Sequence, residues 1–192
     1  MKRACLLAGL GLLPIAWGAA AGGGMTGHMT GHMIAVAVAA PLIAWGLRDT
    51  RLDPARRWPG GTHPLAMSVV ELVVVWGWHL PAARALAAGS PTAMVLEQLM
   101  FVGAGVALWA AVLGSGAARR AAGVGALLLT SMHMTLLGAL IGLAPRPLYA
   151  GHGHGGIEDQ QIGGVIMLMV GAGSYLLGGL AMLGSILRGE RQ

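Results

Sequence analysis

This chain predicts an all-α, polytopic transmembrane helical bundle, and three observations carry that prediction. Of its 192 residues, 56% are hydrophobic and 10% charged, with a mean hydropathy of +0.71, which leaves too little polar surface for a water-soluble domain. The apolar residues gather into six stretches, at 4–21, 28–47, 64–87, 91–114, 121–144 and 162–187, each near the ~20 residues that cross a bilayer. The two-residue alternation of a transmembrane barrel is missing. Connections between the stretches are too short for a separate soluble domain, so one bundle accounts for the chain.

The first stretch has two readings. Lys2 and Arg3 precede an apolar run interrupted by Pro14, and Ala19-Ala20-Ala21 stands before three glycines. That pattern fits a secretory signal cut after Ala21, giving five spans, or a first transmembrane helix, giving six. The domain plan is therefore 1–21 as signal peptide or first helix and 22–192 as the bundle. Both readings leave Gly22 to Thr26 on the outer side. Cys5, the single cysteine, lies in this stretch, which excludes a disulfide framework, a C-x-x-C redox site and a cysteine zinc site.

The second stretch opens on Met25-Thr-Gly-His-Met-Thr-Gly-His-Met33, a tandem methionine and histidine repeat. If helical from Met25, at ~100° per residue, Met25, His28, Met29, His32 and Met33 share a ~140° arc. Thioethers select Cu(I) and imidazole accepts several transition metals, so the mixture points to copper, as Cu(I). Either half alone reads better as helix packing, since methionine is a common apolar filler.

Charge gives the orientation. Lys2, Arg3, Arg48, Arg51, Arg56, Arg57, Arg119, Arg120, Arg188 and Arg191 flank one set of ends, and only Arg84 and Arg146 the other. The positive-inside rule then places both termini of the uncleaved chain, and the Arg-rich loops, in the cytoplasm. The pI near 10.7 is a topology signal; with no aromatic interleaving or basic tail, nucleic acid is not an expected partner.

Ionisable groups inside apolar stretches are costly and mark functional sites. His79, in Trp76-Gly-Trp-His-Leu-Pro81, and Glu97 fall at similar outer depth; His133 lies near the middle of the fifth stretch, and Glu158-Asp-Gln-Gln161 opens the sixth. His79 reads equally as a ligand or an interfacial anchor, and Glu97 as a neutral acid bonded between helices. Met132 and Met134 stand ~200° apart on a helix, so both cannot join His133. Glu71, nearer the cytoplasm, reads as a structural hydrogen bond or part of a proton path. Gly151-His-Gly-His-Gly155 is either a loose metal trap or a solvated linker, and His63 belongs to a loop. The segments Gly138-Ala-Leu-Ile-Gly142 and Gly178-Gly179 read as close helix packing. No nucleophile, catalytic base or nucleotide loop is evident, so the chain does not read as an enzyme. A bis-histidine membrane cytochrome, with His79 and His133 as axial ligands, and a metal transporter remain alternatives.

Trp78-His79-Leu-Pro81, Met132-His133-Met134-Thr-Leu-Leu-Gly138, Ala144-Pro-Arg-Pro-Leu-Tyr149 and Glu158-Asp-Gln-Gln-Ile-Gly-Gly-Val-Ile-Met167 resemble the signature blocks of the CtaG-type cytochrome c oxidase assembly family, over roughly residues 28–187. The resemblance implies an accessory, chaperone-like, multi-pass protein of the bacterial inner membrane that supports maturation of the oxidase copper centre. Its partners would be cytochrome c oxidase subunits, a copper donor protein and membrane lipid, with a homo-oligomer left open. By position, His28 and His32 match the family's paired histidines, His79 its W-H-x-P histidine, His133 its M-H histidine, and Asp159 with Gln160 its D-Q pair. Glu97 is followed by Gln98 where many members carry a further histidine. The expected metal set is thus His28, His32, Met25, Met29, Met33, His79, His133, Met132 and Asp159.

Overall fold

The computed structural model describes residues 1–116, 119–149 and 156–189, and the described residues are helical without strands. Helix α1 spans Lys2–Ala21 and α2 spans Gly24–Leu47, with π-helical geometry at Ile34–Ala39. A short α3 (Pro54–Arg57) lies in the following loop. Then come α4 (Pro64–Trp78), α5 (Pro81–Gly89), α6 (Pro91–Leu113) and α7 (Arg120–Gly142). Helix α8 runs Gly156–Gly189, with a second π stretch at Met167–Ala172. Among the described residues five helices are long and apolar enough to cross a membrane: α1, α2, α6, α7 and α8. The expected span at 64–87 is not one helix. It breaks into α4 and α5, which meet at a 70° bend, because Pro81 has no N–H to continue the ladder and forces Leu80 to an extended ψ of 137°.

Helices α2, α6, α4, α7 and α8 pack in that order around a ring that closes where α8 returns to α2. Helix α1 lies outside the ring against α2. Its apolar window is only 11% buried, against 61% for α2, as lipid-facing and ring positions demand. Gly23 and Gly24, at φ +88° and +74°, turn the chain between them, a conformation open mainly to glycine. At the far end of the hairpin Lys2 Nζ meets Asp49 Oδ2 at 2.8 Å, and that ammonium holds the Asp49 carboxyl below its usual range.

Small residues set the helix separations, as they must where lipid supplies no hydrophobic drive between helices. A Cβ on Gly46 would sit 2.8 Å from the Leu6 Cα, one on Gly27 2.7 Å from the Ala19 carbonyl, and one on Gly31 would collide with the Ala16 carbonyl. Gly138, Gly142 and Gly164 make the equivalent contact between α7 and α8, where a Cβ on Gly138 would lie 2.9 Å from the Gly164 carbonyl.

A π turn displaces carbonyls from the regular ladder, and inside an apolar bundle each needs another donor. Ser174 Oγ donates to Ala37 O at 2.9 Å, Tyr175 Oη to Val36 O at 3.4 Å, and Ser131 Oγ to Ala172 O at 2.8 Å. Both π stretches are thus tied to neighbours at the same depth. Tyr175 shares its one hydroxyl proton with Glu71 Oε1 as the nearer acceptor, beside a Ser68–Thr130 hydroxyl pair at 2.8 Å. Glu71 therefore belongs to a buried polar core below the histidines, as its sequence position predicts.

Gly31→Leu tests the α1–α2 contact. With residues 1–21 in place, overpacking costs about 1–3 kcal/mol and lowers the melting temperature of the detergent-purified protein. A chain that had lost those residues would tolerate the same substitution, so intact mass and melting curve together show whether α1 stays in the bundle.

Candidate metal centre

Helix α2 brings His28 and His32 one turn apart onto the face that looks into the ring, and α4 ends beside them at His79. Each offers a ring nitrogen, and the three nitrogens lie within 4.8 Å of one another. Ring centroids are 5.2 Å apart for His28–His79 and His32–His79 and 6.1 Å for His28–His32. All three residues are at most 4% exposed. Counting from Gly24 at ~1.5 Å per residue, His28 and His32 lie about 6 and 12 Å below the start of α2.

The position of His79 follows from its backbone. As the last residue before the Leu80-Pro81 break, it still donates its N–H to Val75 O at 3.1 Å, and its Nδ1 lies 2.6 Å from the same carbonyl. A carbonyl can only accept, so Nδ1 carries the proton and the neutral ring presents the Nε2 lone pair to the cluster. A second bond fixing the far nitrogen is the usual way a ligating imidazole is oriented. The His79 carbonyl in turn accepts from Tyr149 Oη at 2.9 Å; burial pushes that phenol up to about 12, so it remains a donor. Below the cluster Phe101 packs on His32, 3.9 Å between centroids.

Both nitrogens of His32 and the Nε2 of His79 lack a hydrogen-bond partner among the described residues. Leaving a buried polar atom unmet costs about 1–3 kcal/mol, and here such atoms converge. Three imidazole nitrogens this close together form a donor set that could hold a metal ion.

One carboxylate stands beside the set. Glu97 Oε2 lies 3.8 Å from His28 Nδ1, and Glu97 Oε1 accepts from Arg84 Nη1 at 2.6 Å. Glu97 is therefore bonded between helices, but in a charge pair with an arginine of α5 and not as the neutral acid expected. Reading Arg84 only as a loop charge missed this. The available signal was its place between Pro81 and Pro91, on a helix too short to leave the bundle. A cavity of ≈ 130 Å³ lies between this pair and the α1–α2 turn, lined by His28, Arg84, Met94 and Glu97 with Gly23 and Gly24 among its walls.

The other expected ligands are distributed differently. His133 is 4% exposed and its ring nitrogens have no partner among the described residues, and it lies outside the three-histidine group. Met25, Met29 and Met33 are buried, but Met25 and Met33 serve the α8 interface. Met25 Cγ lies 2.7 Å from where a Gly163 Cβ would stand, and Met33 Sδ 2.8 Å from that of Gly171. The shared arc is wide enough that its histidine side faces the ring centre while its methionine side faces α8. Met132 is 63% exposed, directed away from the bundle interior one ~100° step from His133. Asp159 lies at the start of α2, where Oδ1 accepts from Thr26 N at 3.1 Å and Oδ2 from Met25 N at 2.5 Å. It caps a helix whose own N-cap, Gly23, has no side chain. Its neighbour Gln160 secures the α7–α8 connection, accepting from Leu148 N at 2.6 Å and donating to Ile141 O at 3.1 Å. His152 and His154 lie outside the described residues.

Fold and site together define a polytopic membrane protein with a buried three-imidazole cluster near one end of its bundle. The model of the cytochrome c oxidase caa3 assembly factor family matches residues 2–189, and the chain belongs to that family. No curated protein and no solved structure matches it.

If Asp159 serves as a cap, Asp159→Ala costs about 1 kcal/mol of stability. The expected result is a lower melting temperature with unchanged metal stoichiometry; loss of metal at unchanged stability would instead make Asp159 a ligand.

Proposed function

We propose that this chain carries one copper ion, as Cu(I), on His28, His32 and His79 and delivers it to cytochrome c oxidase during assembly of the enzyme. The observation that supports this most is the convergence of three buried imidazoles, with both His32 nitrogens unmet among the described residues, in a member of an oxidase assembly family. The ion is cargo, and the role is non-catalytic.

Charge favours the monovalent ion. Ion burial becomes steeply more costly with charge, and the one carboxylate beside the cluster is already paired with Arg84. Three neutral nitrogen donors suit Cu(I) without a thiolate, and the absence of a thiolate leaves the ion exchangeable. A haem at this site is disfavoured by space: Phe101 fills one side of the cluster, and the neighbouring ≈ 130 Å³ cavity is below the ~300 Å³ of ordinary small-molecule pockets.

Purified protein should bind one Cu(I), and His32→Ala should lose it while remaining inserted and monodisperse. In cells, loss of the protein should leave oxidase polypeptides present with less copper and lower activity. Wild-type protein should restore both and the His28→Ala/His32→Ala variant should not. Oxidase with normal copper content in the deleted strain would refute the delivery role.

The arginine bias supports a position for the cluster near the outer face of the membrane, which on the family reading is a bacterial inner membrane. In a Cys5→Ala background, a membrane-impermeant maleimide added outside cells should label Leu143→Cys and spare Gly60→Cys. The opposite pattern reverses the topology.

A further inference from the structure

We propose that Arg84 and Glu97 form a charge-exchange latch over the imidazole cluster, in which arrival of the cation draws the Glu97 carboxylate away from Arg84 and frees the guanidinium. This rests on the cluster being a cation site. The pair is sealed from solvent, with side chains 9% and 1% exposed. One carboxylate oxygen binds Arg84 at 2.6 Å; the other lies 3.8 Å from His28 Nδ1 and 3.4 Å from Gln98 Nε2. Glu97 thus stands between two positive claims: the guanidinium, and any cation held by the histidines.

In the cation-free state Arg84 neutralises a carboxylate that could not stay ionised and buried alone. When a cation enters, two positive charges compete for one negative charge at short range and low dielectric, where Coulomb terms are largest. The pair lines the cavity between the cluster and the α1–α2 turn, so an ion approaching His28 from that end passes it. Arg84 also stands on the segment suited to yield. Helix α5 has nine residues and joins α4 through the 70° bend at His79-Leu80, and Arg84 Nε has no partner among the described residues. The same bend carries His79, so motion of α5 reaches a ligand as well as the latch.

The latch gives Arg84 and Glu97 opposite effects on the cargo. Arg84→Gln removes the competing cation and should tighten Cu(I) binding and slow its release by about tenfold each, whereas Glu97→Gln should weaken binding by about tenfold. Affinity is read by competition with bathocuproine disulfonate on the full-length protein in detergent, and release by stopped flow into the same chelator. Because either substitution leaves a buried charge and can impair folding, the wild-type protein supplies a second measurement. Phenylglyoxal should modify Arg84 about tenfold faster after Cu(I) loading, read by peptide mass, and His32→Ala should show no such increase. Arg84 reactivity unchanged by loading, or single variants with unchanged affinity in a protein that binds Cu(I) through His32, overturns the latch and leaves the delivery role standing. Failure of the wild-type protein to bind Cu(I) ends both.

Discussion

Within an apolar bundle no water reaches the interior to complete a missing hydrogen bond, so each polar group must be met by the protein or bear its desolvation. Most of this molecule's irregular features are responses to that constraint. The π stretches of α2 and α8 release carbonyls at one depth, and Ser131, Ser174 and Tyr175 supply hydroxyls to them. Gln160 ties up backbone groups where the chain turns from α7 towards α8. Asp159 receives the first N–H groups of α2 that glycine cannot cap. The nitrogens of His32, His79 and His133 are not alone in lacking a partner among the described residues, since the indole nitrogens of Trp17, Trp76 and Trp109 and Gln98 Oε1 also lack one; what sets His32 and His79 apart is that they converge with His28.

Close packing makes the cluster's geometry reproducible. Residues on neighbouring membrane helices hold fixed distances only when the backbones cannot slide, and the glycines of α2, α7 and α8 leave no room for sliding. Each ligand is then fixed locally. His28 and His32 sit on uninterrupted α-helix, His79 is held by the Val75 carbonyl through both its N–H and its ring, and Phe101 supports His32 from below. The result is a rigid pair of imidazoles on α2 and a third at a helix end next to a bend. A carrier that must both hold and release benefits from that asymmetry: the third ligand can move without disturbing the other two.

The sequence made the fold legible because membrane-length hydrophobicity is a strong signal and the arginines break its symmetry. It also placed His28 and His32 on one face and His79 at their depth. The division of the arc was not legible: Met25 and Met33 share it with the histidines, yet an arc of ~140° exceeds what one ring interior can see, and the methionines fall on the α8 side. A spacing pattern reports which residues share a face, and only the neighbours decide what that face meets. Arg84 was hidden for a related reason. Counted as a charge it marks a loop, whereas its burial depends on α5 folding back from Pro81, which hydropathy averaged over 64–87 conceals.

A ligand set of the three histidines without the methionines, as proposed, has a different chemistry from the mixed set the repeat suggests. Thioethers would have selected Cu(I) by softness alone; imidazoles accept several ions, so discrimination has to come from the surroundings. Here those surroundings disfavour high charge. A divalent ion would bring twice the charge to a place where a single neighbouring carboxylate has to answer both the ion and Arg84, and the desolvation cost rises faster than charge itself. On the proposed reading, selectivity would reside in the charge balance around three unselective donors, and the same balance that would favour Cu(I) would limit how tightly it is held, which is what a protein passing its cargo to another metal site requires.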